Sequence, residues 1–265
     1  MAGSGGCRVS RIFDSMRKAE DERRRRAAER IAGGRTEDVS PRVSEESPRV
    51  VRAVEVPEGS LRELGMLRNA VEVALAGKKK RTILFTSAMH GEGTTSVAAS
   101  YASILALEGR ERVLVCEMNA RRPAFSDVFS TNGDAGITEY FLSGMSLESL
   151  VQQAEASRLD VLHAGRQDAT VIQLHLNAVF PRLLEEALRS YDTVVIDAPP
   201  VISSPETPPM SGFVDGVVMV VHAGKTKREV VLRAIDSITS FKGRVLGVVL
   251  NRKRYYIPDF IYKRI

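Results

Sequence analysis

Six short runs of this chain are predominantly apolar without alternating: Thr82–Ser87, Val113–Glu117, Leu159–His163, Thr193–Asp197, Gly216–His222 and Val245–Leu250. A strand with one wet face alternates apolar and polar side chains. A run that stays apolar is covered on both faces. Segments of helical character lie between the runs, at Thr95–Glu108, Phe180–Ser190 and Lys227–Phe241. Strand, helix, strand in repetition predicts an α/β fold, a parallel sheet with helices on both faces. No internal repeat of fixed period interrupts it.

The body has the means to build that core. Of 265 residues, 43% are hydrophobic and 27% charged, a soluble globular balance. No apolar run approaches the ~20 residues that cross a bilayer. The opening MAGSGGCRVS has no apolar h-region, and Ala2 rules out N-myristoylation. Cys7 and Cys116 are too few for a disulfide framework and fit a reducing cytoplasm. The net charge of +5 sits largely at the ends, in Arg23–Arg26 and in Arg252, Lys253, Arg254, Lys263 and Arg264. A nearly neutral body has no broad nucleic-acid-binding face, so no nucleic-acid partner is expected.

The N-terminal quarter reads differently. In residues 1–32, Ile12, Phe13, Met16 and Ala19 recur at helical spacing before the segment becomes purely charged, an amphipathic helix needing something to dock on. Residues 33–59, with Gly33-Gly34, Pro41, Pro48 and Pro57 among charges and serines, read as a disordered linker. A helix is predicted from Ser60, as N-cap, to Ala76, with Gly77 as its stop. The domain proper spans 60–254, and 255–265 form a basic tail containing Tyr255, Tyr256 and Tyr262. Those tyrosines fit either phosphoacceptors or an apolar anchor.

Chemistry enters after the first strand, in TSAMHGEGTTS. A glycine-rich turn between strand and helix offers backbone N–H groups and a positive helix end to an anion, the arrangement that cradles phosphate. Gly91, Glu92 and Gly93 make the turn, and Thr94, Thr95 and Ser96 open the helix. A phosphate loop of the form G-x-x-x-x-G-K-[ST] has lysine where Thr94 stands. Alone, the stretch equally fits a plain tight turn. Two more strands, however, end in acids: VLVCE closes on Glu117, before Met118-Asn119-Ala120-Arg121-Arg122-Pro123, and TVVID closes on Asp197, before Ala198-Pro199-Pro200. Ligands of open parallel sheets sit beyond the carboxyl ends of the strands. Acidic tips beside a phosphate loop are what hold magnesium on a nucleotide.

With these stretches in order, the chain resembles the cytoplasmic kinase domain of the bacterial tyrosine kinases of capsule and exopolysaccharide systems. That family shares a P-loop NTPase class with the ParA/MinD partitioning ATPases. The resemblance runs from about Ser60 to Leu250 and includes LDVLHAG at 159–165, YDTVVIDAPPV at 191–201, VDGVVMVVHAGKT at 214–226 and GVVLNR at 247–252. It implies ATP or ADP with Mg2+ as cofactors, Gly91 to Ser96 as the nucleotide loop, Thr95, Glu117 and Asp197 around the metal, and Glu117 and Asp197 as the catalytic acids. It also implies tail tyrosines phosphorylated in trans, a homo-oligomer, and a membrane-embedded polysaccharide co-polymerase as a separate chain holding the protein at the inner membrane.

Three departures bear on activity. The loop lysine is Thr94, the two acid positions of the D-x-D-x-R-R-P pattern hold Glu117 and the uncharged Asn119, and Met66 and Asn69 break the pattern of the oligomerisation helix that retains Glu63 and Arg68. Lys78–Lys80 precede the first strand, so they lie at the wrong end of the sheet to replace the lost charge. The expectation is a divergent, degenerate P-loop protein that regulates or scaffolds with weak or no ATP turnover. An active tyrosine autokinase and a ParA/MinD-like positioning ATPase are the alternatives.

Overall fold

The computed structural model describes residues 58–153 and 158–253. The proposed N-terminal helix, most of the linker and the tail tyrosines lie outside these residues. The elements follow in order: α1 (Glu58–Ala74), β1 (Arg81–Ser87), α2 (Thr94–Leu107), β2 (Val113–Glu117), α3 (Phe125–Phe129), α4 (Ile137–Ser143), α5 (Leu147–Leu150), β3 (Gln152–Gln153), β4 (Leu159–Leu162), α6 (Ala169–Ser190), β5 (Thr193–Asp197), α7 (Thr207–Ser211), β6 (Gly216–His222), α8 (Arg228–Ser240) and β7 (Val245–Asn251). All six apolar runs are strands. They form a seven-stranded sheet in the order β3-β4-β2-β5-β1-β6-β7. Every pairing is parallel except the two-residue β3 against β4, which carries no apolar run to announce it.

The period-two geometry of the strands explains the unbroken hydrophobicity. Ile83, Phe85, Val113, Val115 and Val195 point to one face, where they pack with Val71 of α1, Ala98, Tyr101 and Ala102 of α2, and Phe125 and Phe129 of α3. Their neighbours Leu84, Leu114, Cys116, Val194 and Ile196 point to the other, against Ile137 and Phe141 of α4, Phe180 and Leu183 of α6, and Ile238 of α8. Each core strand thus serves two cores. Only β7, at the edge, leaves apolar side chains wet, with Val248 and Leu250 exposed.

Two helix boundaries differ from expectation. Helix α1 already runs from Glu58, which puts Ser60 inside it rather than at its cap; Gly77 is left-handed in the turn that follows. Helix α6 starts at Ala169, well before Phe180, and carries Pro181 within it. A proline inside a helix costs about 3 kcal/mol. Two things offset it: Asp168 caps the start by accepting from the Thr170 and Val171 amides, and Val171, Ile172, Leu176, Phe180, Leu183 and Leu184 bury one face.

Candidate nucleotide site

The chain reverses its progress across the sheet around β1, since β2 lies to one side and β6 to the other, and the loop leaving β1 therefore opens at a topological switch point. Two of its residues, Gly91 and Gly93, have φ of 81° and 87°. At Gly93 glycine is required twice over: the backbone is left-handed, and a Cβ there would meet Asn251 Nδ2 at 2.3 Å. Gly93 is also the N-terminal boundary of α2, which begins with no side-chain cap. Its first turn presents the uncapped end that binds anions.

Among the six loop residues expected to bind the nucleotide, Glu92 is placed differently from the rest. Its side chain is only 2% exposed. Oε2 accepts from the Met89 amide at 2.8 Å, while Oε1 accepts from the His222 amide at 3.1 Å and from the Thr226 hydroxyl. Its carbonyl accepts from Asn251 Nδ2 at 2.8 Å. Glu92 is a brace that ties the loop to the ends of β6 and β7. Sequence reasoning missed His222, Thr226 and Asn251, which bind the loop from strands far away in the chain. An acid between two glycines was the one available sign.

The two acidic strand tips are aligned, Glu117 beside Asp197 in the β2–β5 register. They do different work. One oxygen of Glu117 accepts from the Ala124 and Phe125 amides, the latter at 2.9 Å, and the other from the Ala164 amide at 3.2 Å. The carboxylate holds the start of α3 and the segment after β4 in place, rather than facing the loop as a free ligand. Asp197 faces α2 instead. Thr95 Oγ1 donates to its Oδ2 at 2.7 Å, and its Oδ1 is buried with no hydrogen-bond partner. Buried acceptors without partners are rare and call for explanation. Asn119 Oδ1 is another, distant in the chain but next to Met118, which donates its amide to the Asp197 carbonyl.

Burial pushes the Asp197 carboxyl up to about 8; the Thr95 hydrogen bond opposes the shift and the Glu117 charge adds to it. In the fold this group holds a proton that the unfolded chain releases near pH 4. The stabilisation is complete below that value and is lost as pH rises through about 8. We expect Asp197→Asn to become more stable than the wild type between pH 5 and 8, by at most ~1.4 kcal/mol per pH unit. Denaturant titrations at three pH values check this; parallel curves would show Asp197 to be ionised throughout.

The positive groups sort by strand end. Lys78 pairs with Asp215 and Lys80 donates to the Leu188 carbonyl, both at the far end of the sheet. Arg121 pairs with Glu206, a 3% exposed acid that Gln173 also binds at 2.9 Å. His90, in the loop, is within hydrogen-bonding distance of Ser203 Oγ at 3.0 Å, and burial followed by the charges of Arg122 and Arg121 lowers its pKa. On α1, Arg68 is engaged within the chain by Glu72 and Glu108.

No protein-family model matches the chain. Individual proteins do. Tyrosine-protein kinase YwqD of Bacillus subtilis is 29% identical over 188 residues, 71% of this chain and 79% of that protein. The VpsO kinase domain is 29% identical with a TM-score of 0.65, over 74% of this chain and 98% of that one. The chain is similar to the bacterial tyrosine kinases. Two further likenesses frame it. The kinase domain of Escherichia coli tyrosine kinase ETK superposes with a TM-score of 0.70 at 20% identity, covering 82% of this chain and 88% of that one. ExoP, a succinoglycan biosynthesis transport protein of Rhizobium meliloti, is 27% identical over 69% of this chain but only 24% of its own length. The P-loop fold of this bacterial tyrosine kinase relative is shared more widely, with a plasmid partition protein of Borrelia burgdorferi at a TM-score of 0.53 and 17% identity, over 71% of this chain and 88% of that one. Among the described residues, no helix is long and apolar enough to cross a membrane.

Proposed function

We propose that this bacterial tyrosine kinase relative serves capsule or exopolysaccharide biosynthesis as a regulatory or scaffolding subunit that holds a magnesium nucleotide and transfers its phosphate weakly or not at all. Thr94, standing where the loop lysine belongs, carries this reading. Phosphoryl transfer depends on positioning and on positive charge at the transferred group. A threonine retains the backbone N–H and loses the charge. The donor set nevertheless suits a hydrated magnesium: the Thr95 hydroxyl, Asp197 with a free Oδ1, and Asn119 with a free Oδ1 are hard oxygen ligands. Thr95 and Asp197 would hold the ion, which supplies charge neutralisation on the phosphates. Glu117 acts as a positioning residue, and Gly91, Gly93, Thr94 and Ser96 line the phosphates.

The resemblance to chains that work with polysaccharide export supports a membrane-embedded co-polymerase as partner, with this chain in the cytoplasm against the inner membrane. It also supports a homo-oligomer. Incubation of the purified chain with Mg-ATP should give little phosphotyrosine, and the Tyr255→Phe/Tyr256→Phe/Tyr262→Phe variant should match the wild type. Strong labelling abolished in that variant would establish instead an active autokinase, the reading favoured by the intact Thr95–Asp197 pair and the kinases among the relatives.

A further inference from the structure

If the loop holds a nucleotide without its lysine, the charge must come from another element. We propose that Arg252, at the end of the edge strand β7, delivers that charge to the phosphates on the loop. The inference rests on the reading of the loop as a nucleotide-phosphate site and assigns it a residue outside the motif.

Asn251 fixes the end of β7 to the loop, donating Nδ2 to the Glu92 carbonyl at 2.8 Å while its Oδ1 accepts from the Arg252 amide at 2.8 Å. Arg252 is left-handed, with φ of 57°. A non-glycine residue adopts that conformation at a cost of about 1 kcal/mol, so the turn is held by its surroundings. The turn brings the arginine back across the loop, and its Nε lies 3.7 Å from where a Cβ on Gly93 would stand. The side chain is exposed, and among the described residues no carboxylate pairs with it. What sets Arg252 apart from other exposed arginines is its place: its guanidinium stem lies against the glycine turn. A guanidinium free of carboxylates beside a glycine loop is suited to phosphate, because its fork of donors matches phosphate oxygens. The buried Asp197 Oδ1, which has no hydrogen-bond partner although Thr95 holds Oδ2, independently marks the mouth as shaped for a charged guest.

The division of labour follows. A lysine on the loop reaches the terminal phosphates where charge develops in transfer. An arginine entering over Gly93 from β7 contributes to holding the nucleotide, with no charge placed by α2 for the chemical step.

Calorimetric titration of the full chain with Mg-ADP and with AMP tests this. Arg252→Ala should weaken Mg-ADP binding about tenfold or more, leave AMP binding much less affected, and flatten the salt dependence of Mg-ADP binding. Arg252→Lys should recover part of the loss, and Thr94→Lys in the Arg252→Ala background should restore it. Unchanged Mg-ADP affinity in Arg252→Ala, with a wild type that binds, overturns the role of Arg252 and leaves the nucleotide site standing. Equal losses for AMP and ADP overturn it too, by placing the contact on the base, the ribose or the α-phosphate instead of on the phosphates beyond it. A wild type that binds neither Mg-ADP nor Mg-ATP overturns the site and the arginine together. Thermal melts of each variant show that the fold is retained.

Discussion

Thr94→Lys is expected to tighten Mg-ATP binding by about 10- to 100-fold, the worth of one charge-assisted hydrogen bond of roughly 1.5–3 kcal/mol. The loop around position 94 is otherwise assembled: Gly91 and Gly93 are left-handed, α2 opens without a side-chain cap, and Thr95 already contacts Asp197. Lysine would enter a site whose backbone does not have to move. Tyrosine phosphorylation should rise far less than affinity, because Asn119 still lacks a charge and Glu117 is still engaged by the Ala124, Phe125 and Ala164 amides. Calorimetry and phosphotyrosine detection on the same preparation separate the two. If affinity does not change, the loop is a structural turn and the proposed nucleotide role falls.

The second large effect is on stability. Glu92→Ala removes the acceptor for the Met89 amide, the His222 amide and the Thr226 hydroxyl in a place water barely reaches. Leaving a buried donor unsatisfied costs about 1–3 kcal/mol. Three donors released together predict a loss on the order of 3–5 kcal/mol, and a fall in Tm of roughly 10 °C for a domain of this size. Glu92→Gln, which can keep an oxygen for the His222 amide and Thr226 hydroxyl and turns an NH2 only toward the Met89 amide, should fall between. The loss should appear without any nucleotide present. A melt that moves by less than a degree or two would mean the loop holds its shape by backbone alone and that the brace between β1, β6 and β7 is incidental.

The two effects share a cause. In this site, side chains that look like ligands in the motif are often structural, and those that look structural stand at the mouth. Glu92 and Glu117 turn inward to bind backbone amides; Arg252, which the sequence marks only as one of several basic residues near the end, lies over the loop. A motif fixes spacing along the chain, but not which way a carboxylate turns. That depends on which amides other strands bring close, and those contacts join residues more than a hundred positions apart, such as Glu92 with His222 and Thr226.

What local chemistry could settle was open to inspection in the chain. Continuous hydrophobicity marked every long strand, because a strand between two helical layers must be apolar on both faces. The glycine turn and the acids at two strand ends located the mouth, because parallel strands all finish on one side. The replacement at Thr94 is visible without any structure. Only the tertiary fold decided that Asp197 carries a half-partnered carboxyl whose pKa burial raises, that Glu117 braces instead of facing the loop, that Lys78 and Lys80 are bound at the opposite end, and that α6 continues through Pro181. Each depends on burial and on partners distant in sequence, and the free energy of a buried polar group is set by those partners and not by its own neighbours in the chain.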